Sequence, residues 1–207
     1  MALFTPNLSA APADHPRLIR STRTAHISRT TDILHLSLQR GDLQRARRAW
    51  AVLVRCKEFD WKAGWRIGLA VLEEEERGRW LERAFLACPD EKESILRELV
   101  LTYIAHSRPR AALDQLELYL HSFPFQDNPT LHAHAGMLCL FLSQPSSPND
   151  LPDHALLRQA RQEFLATLAL DPTNDAARAY KEMVQELATA ATEESFEQEA
   201  SDDESPE

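Results

Sequence analysis

Apolar residues recur along this chain at helical rather than alternating spacing. Ile33, Leu34, Leu36 and Leu38 open the pattern behind the cap-forming residues Thr30, Thr31 and Asp32, and Gly41-Asp42 closes it. From Leu43 to Lys57, residues Leu43, Ala46, Trp50, Leu53 and Val54 fall on one helical face, and Arg45, Arg48 and Arg55 fall on the opposite one. Two such segments joined by a tight turn predict an antiparallel helical hairpin. The arrangement then repeats. Trp61, Trp65, Leu69 and Leu72 make one stripe, and Trp80, Leu81, Ala84 and Phe85 make the next, closed by Pro89. Ile95, Leu96, Leu99 and Tyr103 pair with Ala112, Leu113, Leu116 and Leu120, closed by Pro124. Leu131, Ala135, Leu138 and Leu142 pair with Ala160, Phe164, Leu168 and Leu170, closed by Pro172. A last amphipathic helix, Asp175 to about Ala190, places Ala176, Tyr180, Met183, Val184 and Leu187 on one side, as a terminal cap requires.

The closing prolines measure the period. Pro89 and Pro124 are 35 residues apart, and Pro124 and Pro172 are 48 apart. Removing a Ser- and Pro-rich insertion loop at about 143–152 returns the second interval to about 36. Two helices in a period of about 34 residues is the tetratricopeptide signature. Its small residue at the helix crossing stands at Ala46, Ala112 and Ala160, with Trp50, Leu116 and Phe164 four positions later. Arg77 occupies that small-residue position in the second unit. Leu170-Asp171-Pro172-Thr173-Asn174 matches the turn between units, and Trp61 stands where a unit often begins with Trp. The expected fold is all-α, a tetratricopeptide-like array of helical hairpins over 28–190 with a terminal capping helix. A flexible arm, 1–27, carries Pro6, Pro12 and Pro16 ahead of it.

Composition narrows the chemistry. Five glycines in 207 residues are too few for the Gly-rich loops of nucleotide folds or the turns of all-β folds. Cys56, Cys88 and Cys139 lie far apart with no paired spacing, which excludes the common structural zinc patterns and fits a reducing compartment. The longest apolar run, 137–142, falls far short of a membrane span, so an intracellular protein without a membrane partner is expected. The net charge of -9 conceals an asymmetry: residues 1–68 carry twelve Lys or Arg against five Asp or Glu, and the remainder is strongly acidic. Eight acids and no base lie in 191–207, a composition that predicts a disordered acidic tail. Ser201, followed by Asp202, Asp203 and Glu204, is a phosphorylation candidate for an acid-directed kinase.

No nucleotide, hydrolase or metalloprotease motif occurs, and no cofactor is expected. His132, His134 and Cys139 could be imagined as metal ligands, but His132 and His134 point about 200° apart on a helix and cannot share a small ion. The acidic run Glu73 to Glu76 and the acids Asp90, Glu91 and Glu93 read as solvated faces and helix-end charge complementarity rather than catalytic carboxylates. Trp50, Trp61, Trp65 and Trp80 read as core, with a partner-facing Trp as the alternative. The arginines stand out: Arg45, Arg48 and Arg55, joined by Arg17, Arg20, Arg23, Arg29 and Arg40, are interrupted only by Asp32 and Asp42. A surface of one sign calls for an anionic partner, nucleic acid or acidic protein.

One stretch is more specific than a generic repeat. The run from Ile33 to Trp50, with its Leu-rich helix, Arg40-Gly41-Asp42 turn and Arg45-Ala46-Arg47-Arg48-Ala49-Trp50 segment, is followed by Asp60-Trp61 and Trp65-Arg66-Ile67-Gly68. Over roughly 30–122 this resembles the tetratricopeptide subunit of the fungal RNA polymerase I core factor. The resemblance implies a non-enzymatic scaffold subunit of a promoter-binding initiation factor for ribosomal RNA transcription, located in the nucleus and nucleolus. It implies as partners two companion subunits, one resembling the general factor B class, with TATA-binding protein, RNA polymerase I and, in the assembled complex, the ribosomal DNA promoter. The rival reading is a tetratricopeptide adaptor or co-chaperone that grips peptide segments. In that reading Lys and Asn would form a carboxylate clamp, but Thr31, His35 and Leu101 occupy the corresponding positions.

Overall fold

The computed structural model describes residues 22–145 and 152–202, with side chains through residue 189. The described residues form nine α-helices and two 3₁₀ turns, with no strand. The chain divides into two compact units, Met1–Trp80 and Leu81–Glu207.

In the first unit, α1 spans Thr22–Gln39 and α2 spans Leu43–Leu53. The start of α1 lies inside the segment read from sequence as an arm, residues 1–27; the rest of that segment lies outside the described residues. Two interactions account for the extension. Ile27 packs against the core, and the hydroxyls of Thr30 and Thr31 donate back to the carbonyls of His26 and Ile27 at 2.8 and 3.0 Å. Those threonines therefore sit within the helix rather than capping it. Gly41, at φ +73°, lets the chain reverse, and the Asp42 carboxylate caps α2 by accepting the Arg45 N–H at 3.0 Å.

Leu34, Ala46, Ala49, Trp50, Leu53 and Val71 form the buried core of this hairpin. Leu43, expected on the same face, is exposed. Helix α2 ends at Leu53 rather than continuing to Lys57, and the chain turns through 54–64. There the Asp60 carboxylate accepts the N–H groups of Lys62 and Ala63 at 3.0 and 3.4 Å. Trp61 lies in this turn, not on a helical stripe with Trp65.

Helix α3, Trp65–Val71, has only seven residues, yet it is wedged tightly. A β-carbon at Gly68 would lie 2.4 Å from the Trp80 indole and 2.9 Å from that of Trp50. The Trp80 indole N–H donates to the Trp65 carbonyl at 3.1 Å, and its ring meets Trp50 edge-on at 5.9 Å and Trp61 at 5.4 Å. Trp65 itself is buried.

Helix α4, Glu74–Ala87, crosses the division between the units. The second unit contains its later residues and α5 (Lys92–Ala105), α6 (Pro109–Tyr119), α7 (Pro129–Leu142), α8 (His154–Leu170) and α9 (Asp175–Asp202). Phe85, Tyr119 and Phe125 meet with centroid separations of 4.8 to 6.0 Å. Pro109 and Pro129 occupy first-turn positions, where no N–H is needed, and the Asn128 and Asp153 side chains cap α7 and α8.

The insertion at 143–152 leaves the α7–α8 hairpin intact because its ends are joined: the Asp153 N–H donates to the Ser143 carbonyl at 3.0 Å. Residues 146–151 of that loop lie outside the described residues. Gly136 gives the Phe164 ring room, since a β-carbon there would come within 2.8 Å, and Phe164 stacks on Tyr180 at 5.7 Å.

Two stripes differ from the sequence reading. The buried face of α8 comprises Leu157, Ala160, Glu163, Phe164 and Thr167, whereas Leu170 is exposed. Among the described side chains of α9, Ala177 and Val184 are buried; Met183 and Leu187 are exposed, as is Ala176. The Asn174 cap on the Ala177 N–H sets that phase. Helix α9 also continues to Asp202, into the segment from 191 that composition assigns to disorder. The Ala- and Glu-rich stretch contains no Gly or Pro before Pro206, so nothing local stops the helix.

Candidate functional site

Two surfaces are candidates, one in each unit. In the first unit, Arg45 and Arg48 project from the exposed side of α2, Arg40 stands in the turn before it and Arg55 in the turn after it. Arg55 is therefore beyond the helix and does not continue its ridge at seven-residue spacing, as the sequence suggested. None of these four arginines makes an ion pair among the described residues.

Two other arginines of this unit are engaged. Arg47 turns inward, its guanidinium donating to the Val71 carbonyl at 2.6 Å and pairing with Glu73. Arg23, counted from sequence among the unmatched set, pairs with Glu58 at 2.7 Å, a carboxylate that the 54–64 turn brings back to α1. Arg29 is exposed, and Arg17 and Arg20 lie outside the described residues. Beyond α2 the turn borders an open polar pocket of about 520 Å³ that Arg55, Lys57, Lys62 and Trp61 help to line.

The packing residues named from sequence lie as follows. Ala46, Ala112, Ala160, Trp50, Trp65 and Phe164 are buried, Trp61 is half-buried, and Pro172 is exposed. At the irregular small-residue position of the second sequence repeat, the Arg77 Nε is buried without a hydrogen-bond partner among the described residues. The backbone of Ser201 lies in α9, and its side chain is outside the described residues.

The second surface was not anticipated. Leu101 and Ile104 of α5, Ser107, Pro109, and His134, Met137, Leu138 and Phe141 of α7 line an apolar cavity of about 570 Å³. Its sequence signal was a surplus: α5 and α7 carry apolar residues outside the stripes that pack them, and a helix apolar on several faces has more than one surface to cover. Leu101, where a carboxylate clamp would carry a polar residue, lines the apolar wall instead.

The histidines separate as their helical spacing requires. His132 Nδ1 lies 2.7 Å from Glu163 and Nε2 lies 3.0 Å from the Gln126 carbonyl. The hydrogen bond donated to the Glu163 carboxylate raises the His132 pKa against the opposing effect of burial, with the Gln126 carbonyl adding to the rise. Both acceptors are satisfied at once only by the imidazolium. His134 faces the apolar cavity; burial lowers its pKa and the Arg97 guanidinium lowers it further. Burial pushes the Cys139 thiol up to about 12. Among the described residues no group of three His, Cys, Asp or Glu is placed to hold a metal ion. No helix there is long and apolar enough to cross a membrane.

Comparisons with known proteins agree on fold and family. The chain resembles a solved structure of MamA (AMB-1), a tetratricopeptide protein, at a TM-score of 0.54 and 17% identity, covering 88% of this chain and 94% of that one. It is a tetratricopeptide-like helical array. A model of the family described as RNA polymerase I-specific transcription initiation factor Rrn11 matches residues 4–88, beginning well before the 30–122 stretch that carries the resemblance in sequence. The Schizosaccharomyces pombe protein named RNA polymerase I-specific transcription initiation factor rrn11 is 30% identical over 139 residues, which cover 60% of this chain and 70% of that protein. On that identity and coverage, the chain belongs to the Rrn11 family of RNA polymerase I-specific transcription initiation factors.

Proposed function

We propose that this protein is a non-enzymatic scaffold subunit of a promoter-binding initiation factor for RNA polymerase I transcription of ribosomal RNA genes, working in the nucleus and nucleolus. Family membership supports the pathway, and the helical array supports the mode of action. Successive hairpins present long surfaces to several partners at once. The partners are two companion subunits, one of the general factor B class, together with TATA-binding protein and RNA polymerase I. The ribosomal DNA promoter joins them in the assembled complex.

The observation that carries the reading is the set of arginines Arg40, Arg45, Arg48 and Arg55, exposed and without ion pairs among the described residues, in a unit whose other arginines include internally paired ones. They offer a positive field to an acidic subunit surface or to promoter phosphates. The acidic subunit is the favoured recipient, because Lys and polar neighbours typical of phosphate-binding surfaces are sparse along α2.

The test is the triple variant Arg45→Ala, Arg48→Ala, Arg55→Ala, measured for subunit assembly and for DNA binding by the assembled factor over a salt series. Weakened assembly identifies a protein contact. A dependence of log affinity on log salt flattened by roughly 0.9 per lost contact identifies phosphates. Wild-type behaviour in both reduces the ridge to a solvated face. Failure of the wild-type chain to assemble with companion subunits refutes the scaffold role.

A further inference from the structure

The two first helices in the second unit's successive hairpins, α5 and α7, share a lane with two unlike ends. Ser94, Arg97, Leu101 and Ile104 recur at three- and four-residue steps on one face of α5, and Thr130, His134, Met137 and Phe141 do so on α7. The later residues of both helices line the apolar cavity. The earlier residues line a polar cavity of about 250 Å³ with Asp90, Glu91, Glu93, Ser94, Arg97, Asn128 and Thr130 around it. Like ends meet like ends, so α5 and α7 run parallel and the two cavities lie along one groove.

Each end specifies chemistry. At the apolar end Leu101, Ile104 and Phe141 are 41, 40 and 58% exposed, although Ile95, Leu96, Leu99, Val100, Leu131 and Leu138 of the same helices are buried. The His134 Nδ1 there is shielded from solvent without a hydrogen-bond partner among the described residues. At the polar end the Asp90 and Glu93 carboxylates stand beside the Arg97 guanidinium. Glu93 bonds Asn128 at 2.7 Å, Arg97 leans toward Glu98 of its own helix at 3.7 Å, and Asp90 makes no ion pair among the described residues. The net charge there is negative, which favours a cation.

We propose that this groove docks a basic and apolar segment of a companion subunit, an inference that rests on the scaffold reading above. The segment places two large apolar side chains against Leu101, Ile104, Met137 and Phe141 and a Lys or Arg toward Asp90 and Glu93. From Ser94 to Leu101 or Ile104 along α5 is about 10–15 Å at 1.5 Å per residue. The cation and the apolar pair are therefore about three to five residues apart in an extended segment, or seven to ten in a helical one. The acidic part of a second copy, residues 69–207, would bring like charge to the acidic end; its basic part, residues 1–68, would not, and a cross-link from Phe141 separates that case.

The experiment places a photo-crosslinking amino acid at Phe141 in the full chain within the assembled factor. It is paired with the binding of two labelled synthetic peptides to the full chain, both carrying a Leu-Phe pair, one with a Lys-Arg pair four residues away and the other with Glu in place of both cations. The expected cross-link maps to one segment of a companion subunit bearing the predicted spacing. The basic peptide should bind and the acidic one should bind at least tenfold more weakly. Leu101→Asp should weaken the basic peptide at least tenfold and Asp90→Lys several-fold, whereas Leu118→Asp, an exposed residue of α6, should leave it unchanged. Should Leu101→Asp lose helicity, the Leu101→Ala, Phe141→Ala double variant replaces it with the same expectation.

Cross-links to a second copy, to residues 1–21 of the same chain or to an acidic segment overturn the proposal. Equal binding of the two peptides, or none of either, overturns it as well. Assembly is scored separately: an assembled factor whose groove captures nothing refutes the groove alone, and a groove that binds the basic peptide in a chain that never assembles refutes the scaffold reading alone.

Discussion

The two units solve the same packing problem with different materials. In the first, a seven-residue helix is held by the Trp50 and Trp80 indoles, which meet against Gly68, and the surface left over is cationic. In the second, longer helices pack mainly through aliphatic residues, joined by the rings of Phe85, Tyr119, Phe125 and Phe164, and the surface left over includes an apolar groove. The contrast follows from helix length. A short helix has few positions to bury, so large rings must supply the contact area, and the polar face of its neighbour remains available for charge. Long helices bury enough with one stripe, which frees a second apolar stripe to face a groove.

The largest effect should come from removing an indole. Trp50→Ala is expected to destabilise the first hairpin by about 3–5 kcal/mol, because the ring contacts Trp80, Phe59 and the Gly68 notch at once. Thermal unfolding checks this, and an unchanged melting temperature would remove Trp50 from the core.

The glycine notches sharpen the comparison. Gly68→Ala should cost about 2–3 kcal/mol, since the new methyl meets two indoles, one of them tethered to the Trp65 carbonyl. Gly136→Ala should cost about 1 kcal/mol, because it meets a single Phe164 ring that can shift and because alanine favours the helix. Equal losses in chemical denaturation would show that both notches are equally rigid.

A smaller, pH-dependent effect belongs to the second unit. The folded protein raises the His132 pKa, so the stabilisation is fully present below the unfolded value of about 6.5 and is lost as pH rises through the folded value. The stability difference between wild type and His132→Gln should therefore be greatest below about pH 6.5 and shrink above it. A difference constant from pH 5 to 9 would mean that the pair does not titrate.

The smallest effect is expected at the C-terminus. Among the residues of α9 whose side chains are described, burial reaches only to Val184, so truncation after Thr189 should leave cooperative unfolding nearly unchanged. Loss of cooperativity would show that the acidic end of α9 docks.

Much of the fold was legible in residue spacing. Ala46, Ala112 and Ala160 recur where helices cross closely, and a period interrupted by one insertion marks the hairpins. Local pattern misjudged the ends of elements. Thr30 and Thr31 look like caps but bond backward within α1, and Lys57 looks helical but lies in a turn that an Asp60 side chain organises. The arginine set was half legible: Arg40, Arg45, Arg48 and Arg55 are exposed, but pairing of Arg23 with Glu58 depends on a turn that returns a residue 35 positions later.

The sequence by itself determined the helical class, the hairpin period, the opposed charges of the two parts and the likeness to its family, because periodicity, composition and motif are properties of neighbouring residues. Only the tertiary structure decided which apolar residues are core and which are groove. On α5, Leu99 and Leu101 are the same residue type two positions apart, and a helix turns about 200° between them. One therefore meets the packed interior and the other the open lane beside α7, a difference set by where the neighbouring helices lie.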